Sequence, residues 1–288
     1  MYKRQDGDTR PSKADLAVAC EVASAGKGFA ICDNQGSNLY VVVEPAAPRE
    51  TVKIDPERVE QFLGKNGPLS KTLPGYECRE DQIRMALQIL EAFNEEKILA
   101  VEAGTGSGKS FAYLVPAVFY ALANKSRVVV STGTINLQEQ LISKDLPVLK
   151  KAFSELGDEF CFSFAHLKGR ANYLCRRRAQ ELIQKPETLS IICEDQKEQT
   201  ELSSILQWAS RTKEGSLSDL PFTPSPDAWD QVFSDPDRCL NVRCPYFRNC
   251  FYFRARVQAV NATVVVANHH LFFADLAVRR QTGTVSYT

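Results

Sequence analysis

One glycine-rich stretch has the residue types and the spacing of a phosphate-binding loop. It reads Glu-Ala-Gly-Thr-Gly-Ser-Gly-Lys-Ser over residues 102–110, between a short apolar run and a helical pattern. Glycines let several backbone N–H groups point at one place, and the N-terminus of the following helix adds positive potential there. In such a loop a lysine, here Lys109, reaches the β- and γ-phosphates, and a hydroxyl, here Ser110, binds Mg²⁺. We therefore predict a nucleotide and Mg²⁺ site with Lys109 and Ser110 as its catalytic residues.

A wider set of residues is expected around the nucleotide. They are Arg79, Gln82, Ala103, Gly104, Thr105, Gly106, Ser107, Gly108, Lys109 and Ser110. The strict loop pattern begins with glycine, whereas this one begins with Ala103. Arg79 and Gln82 lie in the first turn of a helix predicted over 79–93, and a glutamine amide carries both a donor and an acceptor that match an adenine edge. A solvated helical turn without a ligand fits the spacing of these two residues equally well.

Four of the nine cysteines form a second set of residues that could do chemistry. Cys239, Cys244 and Cys250 have the spacing C-x₄-C-x₅-C, and Cys175 lies alone upstream. Four thiolates can enclose a soft metal centre, either zinc or an iron–sulfur cluster. The spacing leaves both centres open. Buried core cysteines are a third interpretation, which the lack of strand patterning around them disfavours.

Arginines alternate with aromatic residues around these cysteines. Residues 238–256 contain five arginines and no acidic residue, whereas residues 181–237 contain twelve acidic and four basic residues. Cations hold a nucleic-acid backbone and rings stack on bases, for about 1–3 kcal/mol each. The pattern predicts a surface for single-stranded nucleic acid, although rings in a small core with solvated arginines would give the same pattern.

Alternating strands and helices place the phosphate loop in an α/β domain with a parallel sheet. After the loop we predict a helix over 109–124, which Pro116 should kink or displace, and a strand over 127–131. Further strands are predicted over 160–165 and 262–267. The region between those two strands lacks the alternation and is interpreted as an insertion.

The beginning of the chain predicts a small β unit. Apolar runs over 28–32 and 38–43 flank a turn composition at 33–36, which indicates a β-hairpin. A short helix over 55–63 and a loop over 64–75 follow. No chemistry-bearing pattern lies in this region.

Amino-acid composition limits the classes of protein to which the chain can belong. The chain has 288 residues, is 44% hydrophobic and 24% charged, and carries no formal net charge. No run approaches the ~20 apolar residues of a membrane span. The nine cysteines are expected to be thiols or metal ligands in a reducing compartment, so we expect a cytoplasmic protein without a membrane partner.

Several motifs together resemble the DinG/XPD family of superfamily 2 helicases, and most closely its bacterial DinG branch. Residues 74–82 resemble the Q motif, residues 102–110 motif I, and residues 131–140 motif Ia. Residues 168–175 resemble the entry to the cluster domain. Residues 266–271, Val-Ala-Asn-His-His-Leu, resemble the return to the motor domain.

The resemblance implies an ATP-dependent 5′–3′ DNA helicase that acts on single-stranded or forked DNA, expected as a monomer. It implies a [4Fe–4S] cluster held by Cys175, Cys239, Cys244 and Cys250. The implied domains are an N-terminal accessory segment (1–67), the first part of a RecA-like domain (68–168), an inserted, mainly helical iron–sulfur domain (169–257) and a return to the RecA-like domain (258–288). The residues expected at the nucleic acid are Thr132, Thr134, Asn136, Arg176, Arg243, Arg248 and Asn268.

The family carries an Asp-Glu-Ala-His box whose carboxylates hold Mg²⁺ and position the attacking water. The 288 residues contain no such box. The resemblance therefore implies an N-terminal fragment that lacks this box and the second motor domain and is inactive alone. Two alternatives stay open: a non-catalytic iron–sulfur or zinc module that binds nucleic acid or senses redox state, and an RNA helicase.

Overall fold

The structure, a computed structural model, describes residues 31–32, 39–43, 51–104, 108–193 and 195–282. The described residues divide into two compact units. Unit 1 contains those up to His166 and those from Asn261 onward, and unit 2 contains Leu167–Val260. Unit 2 thus interrupts unit 1 in sequence, with bounds a few residues outside the predicted 169–257.

Unit 1 is built on a four-stranded sheet whose two central strands are valine runs. The strand order is β2–β4–β6–β5, with β2 at Leu39–Val43, β4 at Val128–Thr132, β6 at Val264–Asn268 and β5 at Phe164–Leu167. β4 and β6 are parallel, and nearly every residue in them is buried, as expected for strands covered on both faces. The predicted α/β class with a parallel sheet is confirmed.

Helices surround this sheet in unit 1. They are α1 (Pro56–Leu63), α2 (Pro68–Thr72), α3 (Glu80–Asn94), α4 (Lys109–Ala123), α5 (Ile135–Gln140), α6 (Leu146–Ser154) and, beyond unit 2, α12 (His269–Thr282). A fully buried aromatic cluster joins three of them: Phe62 lies 4.5 Å from Phe153 and 5.6 Å from Phe119, measured between ring centroids.

Two local predictions for unit 1 are wrong. Strand β1 (Ile31–Cys32) pairs with β3 (Leu99–Ala100), and β2 pairs with β4, so these strands do not form the predicted hairpin. The predicted loop 64–75 contains α2, which begins at Pro68, a favourable first helical residue. Helix α4 begins at Lys109, as predicted, and continues through Pro116, so of the two effects expected of this proline the displaced start is not seen.

Unit 2 has its own small core. Its helices are α7 (Arg176–Gln184), α8 (Leu189–Ile192), α9 (Gln196–Ala209), α10 (Pro226–Asp230) and α11 (Phe251–Asn261, whose last residue belongs to unit 1). Isolated bridges from Tyr173 to Ser216 and from Leu174 to Phe233 hold its irregular segments together. In the part of the chain that the structure describes, no helix is long and apolar enough to cross a bilayer.

Candidate nucleotide and nucleic-acid site

The phosphate loop connects β3 to α4, the arrangement that its sequence predicts. Gly108 precedes α4 with φ +75°, a left-handed conformation that favours glycine. The Lys109 Nζ donates to the carbonyl oxygens of Ala103 (2.9 Å) and Gly104 (3.1 Å), so the ammonium group lies over the loop. Thr105, Gly106 and Ser107 lie outside the described residues.

Gln82 is attached to this loop from α3. Its side chain is only 3% exposed, its Nε2 donates to the carbonyl of Gly108 (2.8 Å), and its Oε1 accepts from the Tyr76 hydroxyl (2.8 Å). Both ends of the amide are thus bonded within the protein. Arg79 precedes α3, and its exposed guanidinium forms an ion pair with Glu77 (3.3 Å).

A carboxylate that sequence reasoning missed lies near Ser110. Asp145 is buried, its Oδ2 accepts from the Nε2 of Gln140 (3.2 Å), and Ser110 is close enough to affect its pKa. Burial raises the pKa of Asp145, while Ser110 and Gln140 oppose that rise. No spacing rule marks Asp145, because it reaches Ser110 only through a turn of π-helix.

The carboxyl ends of β4 and β6 bring together most of the nucleic-acid residues predicted in unit 1. Thr132 lies opposite Asn268 in the parallel register. Thr132 is fully buried and its hydroxyl donates to the carbonyl of Thr134, whereas Thr134 and Asn136 are exposed at the start of α5. Short polar side chains and a helix start therefore face solvent at this sheet edge, the kind of group that contacts phosphates.

A second contact links the same two strands. The Ser131 hydroxyl lies 2.7 Å from the Nδ1 of His269, the first residue of α12. The Oδ1 of Asn268 accepts from the backbone N–H of His270 (2.6 Å). The segment 266–271 is thus fixed against the strand that carries the motif Ia residues.

The four predicted metal ligands of unit 2 lie in irregular backbone. Cys175 precedes α7, Cys239 and Cys244 flank a single 3₁₀ turn, and Cys250 precedes α11. Burial raises the pKa of the Cys250 thiol, the nearby thiols of Cys175 and Cys239 raise it further, and backbone N–H groups of Tyr252 and Phe253 oppose the rise. The Cys239 sulfur accepts from the N–H of Asn241 (3.3 Å).

No metal site is formed around these thiols in the part of the chain that the structure describes. Among the described residues, no three His, Cys, Asp or Glu side chains converge closely enough to hold one metal ion. A zinc ion needs its sulfur ligands at about 2.3 Å. A four-iron cluster is a larger body, so its ligands lie farther apart than ligands around one ion.

The arginines of unit 2 divide into packed and exposed ones. Arg176 stacks over the Phe251 ring at 4.1 Å, and Arg178 is 8% exposed and donates to the carbonyls of Asp230 and Phe233. Arg243 and Arg248 are exposed. The structure therefore leaves Arg243 and Arg248 accessible to a polyanion and uses Arg178 inside the fold.

Comparison with known proteins identifies the domain. The model of the DEAD/DEAH box helicase family matches residues 79–207. This chain carries a DinG-like helicase domain. Relatives are named as ATP-dependent DNA helicase YoaA in Haemophilus influenzae (38% identical over 77% of this chain and 33% of the relative) and in Escherichia coli (39% over 74% and 32%), and as ATP-dependent helicase DinG in Mycobacterium tuberculosis (39% over 68% and 31%).

The chain spans about a third of the length of these relatives. The family match in the helicase domain contains Gln82, the phosphate loop, Asp145 and Cys175. It ends before Cys239. The match thus covers the residues around Ser110 but only one of the four predicted cluster ligands.

Proposed function

We propose that this chain is the ATP- and DNA-binding part of an ATP-dependent DNA helicase that moves 5′ to 3′ on single-stranded DNA. The observation that carries the proposal is the phosphate loop at the start of α4, with the Lys109 ammonium over the loop and the Ser110 hydroxyl beside it. Forked DNA as substrate, action as a monomer and a cytoplasmic location belong to the same proposal.

In this proposal the residues of the loop bind and orient ATP. Backbone N–H groups at the start of α4 surround the phosphates, and Lys109 leaves the carbonyls of Ala103 and Gly104 to contact the β- and γ-phosphates. Ser110 presents its hydroxyl oxygen to Mg²⁺, which neutralises charge on the phosphates when bound. Arg79 is exposed just before α3, where it forms an ion pair with Glu77, and in this proposal its guanidinium contacts the nucleotide.

The 288 residues alone are not expected to hydrolyse ATP. They contain no Asp-Glu-Ala-His box to hold Mg²⁺ and to position the attacking water. Binding and hydrolysis are therefore separable in this chain, and binding is the property to measure.

The test is binding of a fluorescent ATP analogue to the purified chain, with an ATPase assay on single-stranded DNA. We expect micromolar or weaker binding without turnover, and Lys109→Ala should weaken binding by at least about tenfold, as expected for the loss of a charged hydrogen bond. Lys150→Ala, which removes an exposed lysine of α6, is the matched control and should bind as the wild type does. Equal binding by Lys109→Ala and wild type would refute the phosphate-loop assignment, and turnover by the wild type would refute the inactivity.

We further propose that Cys175, Cys239, Cys244 and Cys250 hold a [4Fe–4S] cluster. Two features of unit 2 support this: the mutual influence of the Cys250, Cys175 and Cys239 thiols, and the N–H groups donated to sulfur. The positive charge of Arg177 lies near Cys175 and Cys244. When bound, such a cluster would supply Fe–S bonds that cross-link three otherwise irregular segments.

Anaerobic purification, with measurement of iron and visible absorbance, tests the cluster. We expect a brown protein with about four iron atoms per chain, and loss of colour in Cys250→Ser. Cys161→Ser, an exposed cysteine outside the set, is the matched control and should keep its colour. A colourless wild type with one zinc per chain would replace the cluster with the zinc alternative.

The nucleic-acid part of the proposal uses the exposed groups of each unit. Thr134 and Asn136 are exposed at the sheet edge of unit 1 beside the half-buried Asn268, and Arg243 and Arg248 are exposed in unit 2. Arg243→Ala with Arg248→Ala should weaken single-stranded DNA binding and lower the slope of log affinity against log salt by about 1–2, because each phosphate contact contributes about 0.7. Arg211→Ala, an exposed arginine of the same unit, is the control. An unchanged slope in the double variant would refute the role of these arginines, and tighter binding of RNA than of DNA would favour the RNA helicase alternative.

A further inference from the structure

The Gln82 side chain connects helix α3 to the end of the phosphate loop. It is 3% exposed, and its Nε2 donates to the carbonyl of Gly108 at 2.8 Å. A Cβ built on Gly108 would overlap that nitrogen, so the amide lies directly against the backbone of the loop. A buried side chain of one helix therefore holds the peptide from which the next helix begins.

The other end of the amide is held by Tyr76. The Tyr76 hydroxyl lies 2.8 Å from the Oε1 of Gln82 and 2.8 Å from the carbonyl oxygen of Leu63 in α1. Burial raises the pKa of Tyr76 to about 12, so the phenol keeps its proton throughout the neutral range. Gln82 is thus fixed between a phenol on one side and the loop on the other.

The peptide that Gln82 holds is the one that joins Gly108 to Lys109. Its carbonyl also accepts the N–H of Ala112 (3.2 Å), so its two lone pairs serve the amide and the first turn of α4. In a trans peptide the C=O and the N–H point in opposite directions. Fixing the Gly108 carbonyl against α3 therefore directs the N–H of Lys109 away from α3, to the side on which the phosphates are proposed to bind.

Reading of the base would need a different placement of this amide. An amide matches an adenine edge when a donor and an acceptor are both accessible to the base. The Nε2 of Gln82 lies on the loop, its Oε1 lies beside Tyr76, and 3% exposure leaves no face of the amide for a planar base. The contacts of Gln82 favour an effect on the loop over a contact with adenine.

We propose that Gln82 is a positioning residue of the phosphate loop: it holds the Gly108 carbonyl, directs the Lys109 N–H toward the phosphates, and takes no part in the choice of base. The inference rests on the proposed nucleotide-binding function. It states which part of the nucleotide depends on Gln82, namely the triphosphate, whichever base is attached to it.

The experiment compares ATP, GTP and inorganic tripolyphosphate as competitors of a fluorescent ATP analogue on the full 288-residue chain in Mg²⁺. Gln82→Met keeps the length of the side chain and removes both hydrogen bonds. We expect it to weaken all three competitors by the same factor, about five- to tenfold, as for the loss of a buried hydrogen bond. Base reading predicts instead a loss for ATP and an unchanged affinity for tripolyphosphate.

Two further variants separate positioning from a general effect on the fold. Gln88→Met, at an exposed glutamine of the same helix, is the matched control and should change none of the three affinities. Tyr76→Phe removes the support of Gln82 and should give a smaller loss, again equal for the three ligands. The double variant of Tyr76 and Gln82 should bind as Gln82→Met does, because Tyr76 acts through Gln82.

Binding is measured well below the unfolding temperature of each variant. A role in stability alone would lower the melting temperature and leave the affinities of the folded variants unchanged, and that result would overturn the proposal. A larger loss for ATP than for tripolyphosphate, or additive losses in the double variant, would overturn it as well. A failure of the proposed function differs from these outcomes: the wild type would bind none of the three ligands, or Lys109→Ala would bind them as the wild type does, and the role of Gln82 would fall with it.

Discussion

At Gly215 of unit 2, one added methyl group would meet the ring of a core phenylalanine. Gly215 has φ +63°, and a Cβ built there would lie 2.3 Å from ring carbons of Phe251, which is 2% exposed. The carbonyl of Gly215 accepts from the N–H of Leu174 (2.8 Å), next to Cys175, and Phe251 follows Cys250. Gly215→Ala therefore disturbs the segments that carry two of the four cysteines.

The expected cost has two parts. A left-handed conformation costs a residue with a Cβ about 1–2 kcal/mol. Displacing the Phe251 ring from a packed core costs about 1–3 kcal/mol more. We therefore expect Gly215→Ala to lower the free energy of unfolding of unit 2 by roughly 2–5 kcal/mol. At a urea m-value of about 2 kcal/mol/M, its midpoint falls by at least about 1 M.

Tryptophan fluorescence during urea unfolding measures this effect in unit 2 selectively. Both tryptophans of the chain, Trp208 and Trp229, lie in that unit. The Trp229 Nε1 donates to the carbonyl of Ala171 (2.9 Å), so its fluorescence should follow the packing of the unit. A chain of two units need not unfold in a single two-state step. A probe that lies only in unit 2 reports the unfolding of that unit without averaging it with the transition of unit 1.

Two comparisons decide whether the reasoning is correct. Gly169→Ala, in the same unit with φ −60° and the Asn172 Nδ2 3.4 Å from the added carbon, should cost less than about 0.5 kcal/mol. In the background of Phe251→Ala the ring is gone, so Gly215→Ala should cost only the backbone part, about 1–2 kcal/mol. The clash would be refuted by equal urea midpoints for Gly215→Ala and Gly169→Ala. It would also be refuted if Gly215→Ala lowered the free energy of unfolding by the same amount in the Phe251→Ala background as in the wild type.

Three further outcomes are expected. Arg178→Ala should destabilise unit 2 by about 2–4 kcal/mol, because two carbonyls and the Phe233 ring lose a buried guanidinium; an unchanged tryptophan transition in urea would contradict this. Burial raises the pKa of the Tyr173 phenol to about 12, so the unfolded chain ionises first as the pH rises above about 10. The stability of unit 2 should therefore be complete below pH 10, fall by up to about 3 kcal/mol as the pH rises to about 12, and lose this dependence in Tyr173→Phe; a Tyr173→Phe profile that matches the wild type would contradict it. Gly108→Ala should lower nucleotide affinity and the melting temperature of unit 1, because its Cβ would lie 2.1 Å from the Gln82 Nε2. Adding Gln82→Ala should restore part of the melting temperature. Additive losses in the double variant would argue against the contact.

Sequence reasoning found the functional segments but not the bonds between them. The phosphate loop and the cysteine spacing are local patterns, and so Lys109, Ser110 and the cysteines were accessible without a fold. Gln82 was also predicted at the nucleotide, but its contacts with Tyr76 and Gly108 were not, because they join residues up to 26 positions apart. Asp145 was missed, because only the packing of the α5–α6 junction against α4 places it beside Ser110.

The sequence by itself determined the α/β class, the phosphate loop, the start of α4 at Lys109 and a separate region between β5 and β6. These follow from composition and periodicity, which act within a few residues along the chain. The tertiary structure decided how β1 and β2 pair, which arginines of unit 2 stay exposed, and which carboxylate accompanies Ser110. Strand partners, burial and hydrogen bonds between distant residues depend on which surfaces meet, and that is set only when the whole core packs.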